Sequence, residues 1–218
     1  MKPRCLRRTE RLRGLFVLAD DDPRWPHDVL AQARAACAGG ASIVQLRAKH
    51  ATDREALRLA IAIRVLTREA GVLFFVNDRF DLALLAGADG VHLGQEDLPP
   101  ASLPAEIRAR LLVGRSTHTL AQAEAAKAEP CDYVAFGPVF GTTSKQSPYD
   151  ARGADALRRI VACTAPRPVV AIGGIDVGRA REATGAGAAG VAVISAIAAA
   201  SDPEAATRAL VRAVGEPS

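Results

Sequence analysis

Residues 45–49 read Gln45-Leu46-Arg47-Ala48-Lys49. Side chains alternate in an extended segment, so Gln45, Arg47 and Lys49 share one face while Val44, Leu46 and Ala48 take the other. Two cations and an amide on one face can hold an anion. Lysine is scarce, with only Lys2, Lys49, Lys127 and Lys145 among 28 basic residues, which singles out Lys49 and Lys145. Asn77-Asp78-Arg79 and Gly94-Gln95-Glu96-Asp97 each follow a short apolar run, and their carboxylates Asp78 and Asp97 could meet. Two carboxylates beside anion-binding cations, without a His or Cys cluster, suit Mg²⁺, which takes one or two carboxylates plus water and substrate phosphate oxygens. The alternative for Asp81, Glu96 and Asp97 is helix capping.

Gly137-Pro138-Val139-Phe140-Gly141-Thr142-Thr143-Ser144-Lys145 adds hydroxyls and a lysine, in an aperiodic stretch that runs to about Gly153. Loops beyond about 12 residues are uncommon in compact domains unless they bind or cover something. Gly173-Gly174 and Ser195 each follow an apolar run near the C-terminus, where backbone N–H groups can surround a phosphate if glycine lets it approach. A Gly-Gly turn chosen for geometry alone is the alternative there. Ser116-Thr117-His118 lacks partners at the spacing of a nucleophile triad. His92 sits inside an apolar run and reads as a satisfied interior residue, His27 and His50 as exposed, and Trp25-Pro26 as a packing and helix-start pair.

These clusters need a scaffold that collects them. Eight short apolar runs, Leu15–Leu18, Ile43–Leu46, Leu73–Val76, Gly90–Leu93, Leu112–Gly114, Tyr133–Phe136, Val169–Ile172 and Gly190–Ile194, alternate with amphipathic stretches. One of these, Asp53–Ala70, is opened by Thr52 and Glu55 in capping-box spacing and closed by Gly71. Strand then helix, repeated eight times in 218 residues, predicts an α/β fold: a single-domain (β/α)₈ TIM barrel with parallel strands, whose working residues lie at the strands' C-terminal ends. Loops after strands seven and eight of such barrels frequently hold phosphate, which places Gly174 and Ser195. Gly-Ala pairs at 40–41, 87–88 and 187–188 mark helix-to-strand turns. Gly185 to Gly190 spells G-x-G-x-x-G but precedes a strand, which excludes a dinucleotide fingerprint, and no P-loop motif occurs.

Aromatic residues are 4% of the chain, which predicts a core of Ala, Val, Leu and Ile and no stacking surface for nucleic acid. The net charge of +4 is uneven: the first thirteen residues carry +5, leaving −1 for the remainder. A basic arm over 1–13 and a barrel over 14–218 follow, with no nucleic-acid face. There is neither a signal-like segment of about 7–15 apolar residues nor an apolar run of about 18, so no membrane partner and a cytoplasmic location are expected. Cys5, Cys37, Cys131 and Cys163 lie far apart and read as free, mostly buried thiols.

The motifs from Leu15 to Ala196 together resemble the thiamine-phosphate synthase family: Gln45 to Lys49, Asn77-Asp78-Arg79, Gly90 to Asp97, Ser116-Thr117-His118, Gly137 to Phe140 with Thr-x-Ser-Lys, and Ala171 to Ile175. The resemblance implies small-molecule substrates, a hydroxymethylpyrimidine diphosphate and a thiazole phosphate, joined as thiamine phosphate with release of pyrophosphate. It implies that Gln45, Leu46, Arg47, Ala48, Lys49, Asn77, Ser116 and Lys145 hold the first substrate, with Arg47, Lys49 and Lys145 catalytic and Asp78 and Asp97 on Mg²⁺. Thr142, Thr143, Ser144, Gly174, Ile194 and Ser195 would hold the second. It implies a dissociative mechanism without a protein nucleophile. Gly141, Ser144 and residues 146–152 depart from the family pattern. Thiazole tautomerases and phosphate-binding isomerase or epimerase barrels are the alternatives, and the oligomeric state stays open.

Overall fold

Each apolar run becomes a parallel strand, and the eight close into a barrel in chain order, β1 through β8. The computed structural model describes residues 10–142 and 149–215. The strands are β1 (Gly14–Asp20), β2 (Ile43–Arg47), β3 (Leu73–Asn77), β4 (Gly90–Leu93), β5 (Leu112–Thr117), β6 (Tyr133–Phe136), β7 (Val169–Ile172) and β8 (Gly190–Val193). The helices are α1 (Val29–Ala38), α2 (Asp53–Ala70), α3 (Phe80–Leu85), α4 (Ala105–Arg110), α5 (Leu120–Ala126), α6 (Gly153–Thr164), α7 (Val177–Gly185), α8 (Ser195–Ala198) and α9 (Pro203–Gly215).

Strands β4, β6 and β7 match the apolar runs residue for residue. Strands β1, β2, β3 and β5 run further into polar residues, because the ladder is a main-chain property and the added side chains have partners of their own. Strand β8 stops at Val193 instead of Ile194. In α2 the Thr52 hydroxyl accepts from the Glu55 N–H and the Glu55 carboxylate accepts from the Thr52 N–H, while Gly71 closes the helix at φ 70°. Helix α1 starts behind Asp28, whose side chain accepts from the Ala31 N–H. Trp25-Pro26 is therefore not a helix start, and the Trp25 indole instead donates to the Asp20 carboxylate.

Packing forms two layers. Between strands and helices, small residues such as Ala33, Ala36, Ala60, Ala83, Ala123 and Ala180 are fully buried against Val44, Leu46, Val91 and Val134, so helices lie close to the sheet. The core is built mainly from Ala, Val, Leu and Ile as expected, and inside the barrel three aromatics join it: Phe16, Phe75 and Tyr133 pack there with Ile43, Leu73 and Val170. Tyr133 sits 5.6 Å from Phe16 and 5.9 Å from Phe75 between ring centroids. Gly114 makes this possible, since a Cβ there would lie 2.3 Å from the Tyr133 ring and 2.5 Å from the His92 Nδ1. Leu12, in the stretch counted with the basic arm, is buried in the same interior cluster.

Cys37, Cys131 and Cys163 are free thiols, but only Cys131 is fully buried. Burial pushes Cys37 and Cys131 up to about 11. His27 is half-buried, with Nε2 2.8 Å from the Ala200 carbonyl, so it is not the exposed residue expected. Among the described residues no helix is long and apolar enough to cross a membrane.

Candidate active site

The C-terminal ends of the strands surround a cavity of about 860 Å³ of empty space, open to solvent. Its inner wall is apolar, from Phe16, Leu18, Tyr133 and Val170, and its rim carries Gln45, Asn77, Ser116, Thr142, Gly174 and Ser195.

Alternation along β2 orients its residues as the pattern requires. Gln45 faces the cavity and its amide donates to the Asn77 Oδ1 at 2.8 Å, tying β2 to β3. Leu46 is fully buried in the outer layer and Ala48 packs against it, so neither side chain reaches the cavity. Arg47 donates from Nη1 to the Asp20 Oδ1 at 2.8 Å, and its Nε is buried without a hydrogen-bond partner. Asp20 is 1% exposed and also accepts from Trp25, while the Gln32 side chain bonds its backbone N–H and carbonyl. Asp21 accepts from the backbone N–H groups of Lys49, His50 and Ala51 and fixes the turn leaving β2. Sequence reasoning passed over this pair, although an Asp-Asp-Asp run at a strand's C-terminal end was the available signal.

The Lys49 ammonium reaches the Asp78 Oδ2 at 2.5 Å. Asp78 is the one described non-glycine residue at positive φ, 63°, and its N–H donates to the His92 carbonyl at 2.7 Å. Such a conformation costs about 1–3 kcal/mol and persists where the surroundings impose it, often at functional sites. The Asp97 Oδ2 accepts from the Gly94 N–H at 2.6 Å, and its carboxyl hydrogen-bonds Asp78. So the two carboxylates do meet. Burial opposes charge on Asp78, but the hydrogen bonds from Lys49 and Asp97 and the charge of Lys49 outweigh it and hold the group below its ordinary range. Burial and the neighbouring Asp78 push Asp97 the other way, upward. Two carboxylates in contact need a proton or a cation between them. That donor set, oxygen only and next to an ammonium, fits a hard divalent cation such as Mg²⁺. Among the described residues no cluster of three or more His, Cys, Asp or Glu forms a richer site.

Ser116 accompanies an interior chain: its Oγ lies 2.8 Å from the His92 Nε2, and the His92 Nδ1 lies 2.8 Å from the Tyr133 hydroxyl. Both ring nitrogens are engaged, as expected for a satisfied interior histidine, and burial raises the Tyr133 phenol so that it stays protonated. His118 also lines the cavity, stacked on Tyr149 at 4.3 Å.

Across the cavity, Thr142, Gly174, Ile194 and Ser195 line the wall after β6, β7 and β8. Gly174 has φ 63°, and a Cβ there would lie 2.1 Å from the Gly141 carbonyl oxygen. The glycine is therefore demanded by contact with the loop after β6, whatever its N–H binds. Ser195 opens α8, a single turn of four residues. Arg179 of α7, missed from sequence, donates to the Gly174 carbonyl at 2.8 Å and lies over the Phe140 ring. It brings a cation to this side, held by Asp176 at 3.8 Å. Thr143, Ser144 and Lys145 lie outside the described residues.

Residues 15–197 match the sequence profile of the family described as thiamine monophosphate synthase. The chain is 48% identical over 200 residues to the thiamine-phosphate synthase of Anaeromyxobacter dehalogenans, covering 91% of this chain and 86% of that one. It is 47% identical to the thiamine-phosphate synthase of Methanoculleus marisnigri, covering 90% and 92%. Among solved structures, thiamine phosphate pyrophosphorylase from Pyrococcus furiosus superposes with a TM-score of 0.84 at 40% identity, covering 94% and 96%. An orotidine 5′-phosphate decarboxylase from Pyrococcus horikoshii, at 17% identity and TM-score 0.65, covering 92% and 99%, shares the fold.

Proposed function

The chain belongs to the thiamine monophosphate synthase family, and from that premise we propose how its cavity divides the work of a thiamine-phosphate synthase, a transferase that joins a pyrimidine diphosphate to a thiazole phosphate and releases pyrophosphate. The diphosphate belongs to the side built by β2 to β5, with Gln45, Arg47, Lys49, Asn77 and Ser116, joined by Lys145. The thiazole phosphate belongs to Thr142, Gly174, Ile194 and Ser195, with Thr143 and Ser144. Charge supports this division: Arg47, Lys49 and the paired carboxylates sit on the first side, and the second offers hydroxyls and backbone N–H groups, with its cation Arg179 paired with Asp176.

The bond between the pyrimidine methylene carbon and the diphosphate oxygen breaks, and its electron pair leaves with pyrophosphate. The electron-rich aminopyrimidine spreads the resulting positive charge. The thiazole nitrogen then donates its lone pair to form the new C–N bond, so no proton has to move and no protein nucleophile is needed. Arg47, Lys49 and Lys145 stabilise charge developing on the leaving diphosphate, and Asp20 keeps Arg47 aimed. Gln45 and Asn77, locked to each other, present fixed polar edges to the pyrimidine ring. The apolar inner wall of Phe16, Leu18 and Val170 limits water around the cation before the thiazole captures it. Asp78 and Asp97 would hold Mg²⁺, which when bound supplies positive charge to the diphosphate oxygens.

The observation that carries this reading is the convergence of Lys49, Asp78 and Asp97 after three successive strands, next in the chain to Asn77, which lines the cavity. Its test is incubation of the purified protein with both substrates and Mg²⁺, with thiamine phosphate and pyrophosphate quantified together. Equimolar products support it. Condensation that fails while the thiazole tautomerises would assign the chain to the tautomerase relatives instead.

A further inference from the structure

We propose that Arg115 is a positioning residue that holds the turn carrying Asp97. It stands on β5 opposite Leu93 and Val134, two fully buried residues of the outer layer, where an aliphatic side chain would pack. Arg115 is nonetheless charged and only 6% exposed. Burying a charge is costly unless specific partners hold it, so the partners indicate what the residue is for.

One partner is the Gly94 carbonyl, which accepts from the Arg115 Nη1. Gly94 is also the residue whose N–H donates to the Asp97 Oδ2. Arg115 thus grips one end of residue 94 while Asp97 grips the other, and the turn from Gly94 to Asp97 closes on itself with its carboxyl against Asp78. Gln95 of the same turn donates to the Ser116 carbonyl, a second tie to β5 next to Arg115. The other partner is the Glu129 carboxylate, whose Oε2 lies 3.1 Å from the Arg115 Nε as an ion pair without hydrogen-bond geometry. Glu129 is in turn anchored through its backbone carbonyl, which accepts from the Arg167 Nη2 at 3.1 Å. The series Arg167, Glu129, Arg115, Gly94, Asp97 connects the entry to β7 with a proposed metal ligand, and Arg115 touches neither substrate nor metal.

Partners that orient metal ligands are typically worth about 10- to 100-fold in metal affinity. The inference rests on the reading of Asp97 as a metal ligand, so the test separates the two. Mn²⁺ binding in the presence of inorganic pyrophosphate is measured by electron paramagnetic resonance for the parent, Asp97→Asn and Arg115→Met. Calorimetric binding of thiazole phosphate and a thermal melt accompany each protein. The expected result is Mn²⁺ binding by the parent, its loss in Asp97→Asn, and about tenfold weaker binding in Arg115→Met with thiazole phosphate affinity unchanged. Equal Mn²⁺ affinity in the parent and Arg115→Met overturns the role of Arg115, as does equal weakening of both ligands. Failure of the parent to bind Mn²⁺ through Asp97 overturns the metal site itself. Should Arg115→Met not fold, Arg115→Met with Glu129→Gln removes the stranded carboxylate, and the same comparison applies.

Discussion

Asp20→Asn keeps the size of a side chain that the motif spacing did not single out. In the native protein one carboxylate oxygen accepts from Arg47 at 2.8 Å and the other from Trp25 at 3.1 Å. An amide has one accepting oxygen, so one of these two donors must face an N–H group. Exchanging a charged for a neutral hydrogen bond costs about 1–2 kcal/mol, and stranding a shielded donor adds about 1–3 kcal/mol. The midpoint of the combined cost is about 3.5 kcal/mol, which for a chain of this size lowers Tm by roughly 7–14 °C. Loss of aim at Arg47 adds a kinetic signature, since about 1.4 kcal/mol of lost binding is tenfold in affinity. The assay is a thermal melt together with steady-state titration of each substrate. KM for the pyrimidine diphosphate should rise about tenfold while that for thiazole phosphate holds. An unchanged Tm, or equal rises in both KM values, would refute the claim that Asp20 supports Arg47 and that Arg47 serves the diphosphate.

Ser195→Ala should raise KM for thiazole phosphate about 2- to 12-fold, the worth of one hydrogen bond, and leave the pyrimidine diphosphate titration unchanged; the reverse pattern would exchange the two halves of the site. Gly174→Val should destabilise the protein by more than about 2 kcal/mol, since its backbone conformation disfavours a side chain and its Cβ would strike the Gly141 carbonyl; an unaltered melt would contradict that contact. Tyr133→Phe leaves the His92 Nδ1 without its phenol and should cost about 1–3 kcal/mol, measured by chemical denaturation, and a neutral result would mean the interior chain to Ser116 carries no strain when broken.

The barrel was legible because apolar runs and capping signals are local: Thr52, Glu55 and Gly71 bounded α2 to the residue. The polar extensions of β1 and β5 were not, because Asp20, Arg115 and Ser116 stay in strands through partners far along the chain. His92 and Tyr133 are 41 residues apart and meet because alternate strands fill one interior layer across Gly114. The site was legible as clusters after strands, since side-chain alternation places Gln45 inward and Leu46 outward. Asp20 and Arg115 escaped because their role is to aim other residues, and spacing alone carries no trace of a partner on another strand. Gly174 was found for an incomplete reason, as approach of a phosphate was inferable but approach of Gly141 was not.

The central claim is that the edge built by Lys49, Asp78 and Asp97 activates the leaving diphosphate. Single-turnover formation of thiamine phosphate by Asp78→Asn, with both substrates and Mg²⁺ saturating, tests it most directly. The account predicts a rate at least about 100-fold below the parent's, roughly 2.7 kcal/mol in the barrier, with thiazole phosphate affinity retained. A single-turnover rate equal to the parent's would contradict it.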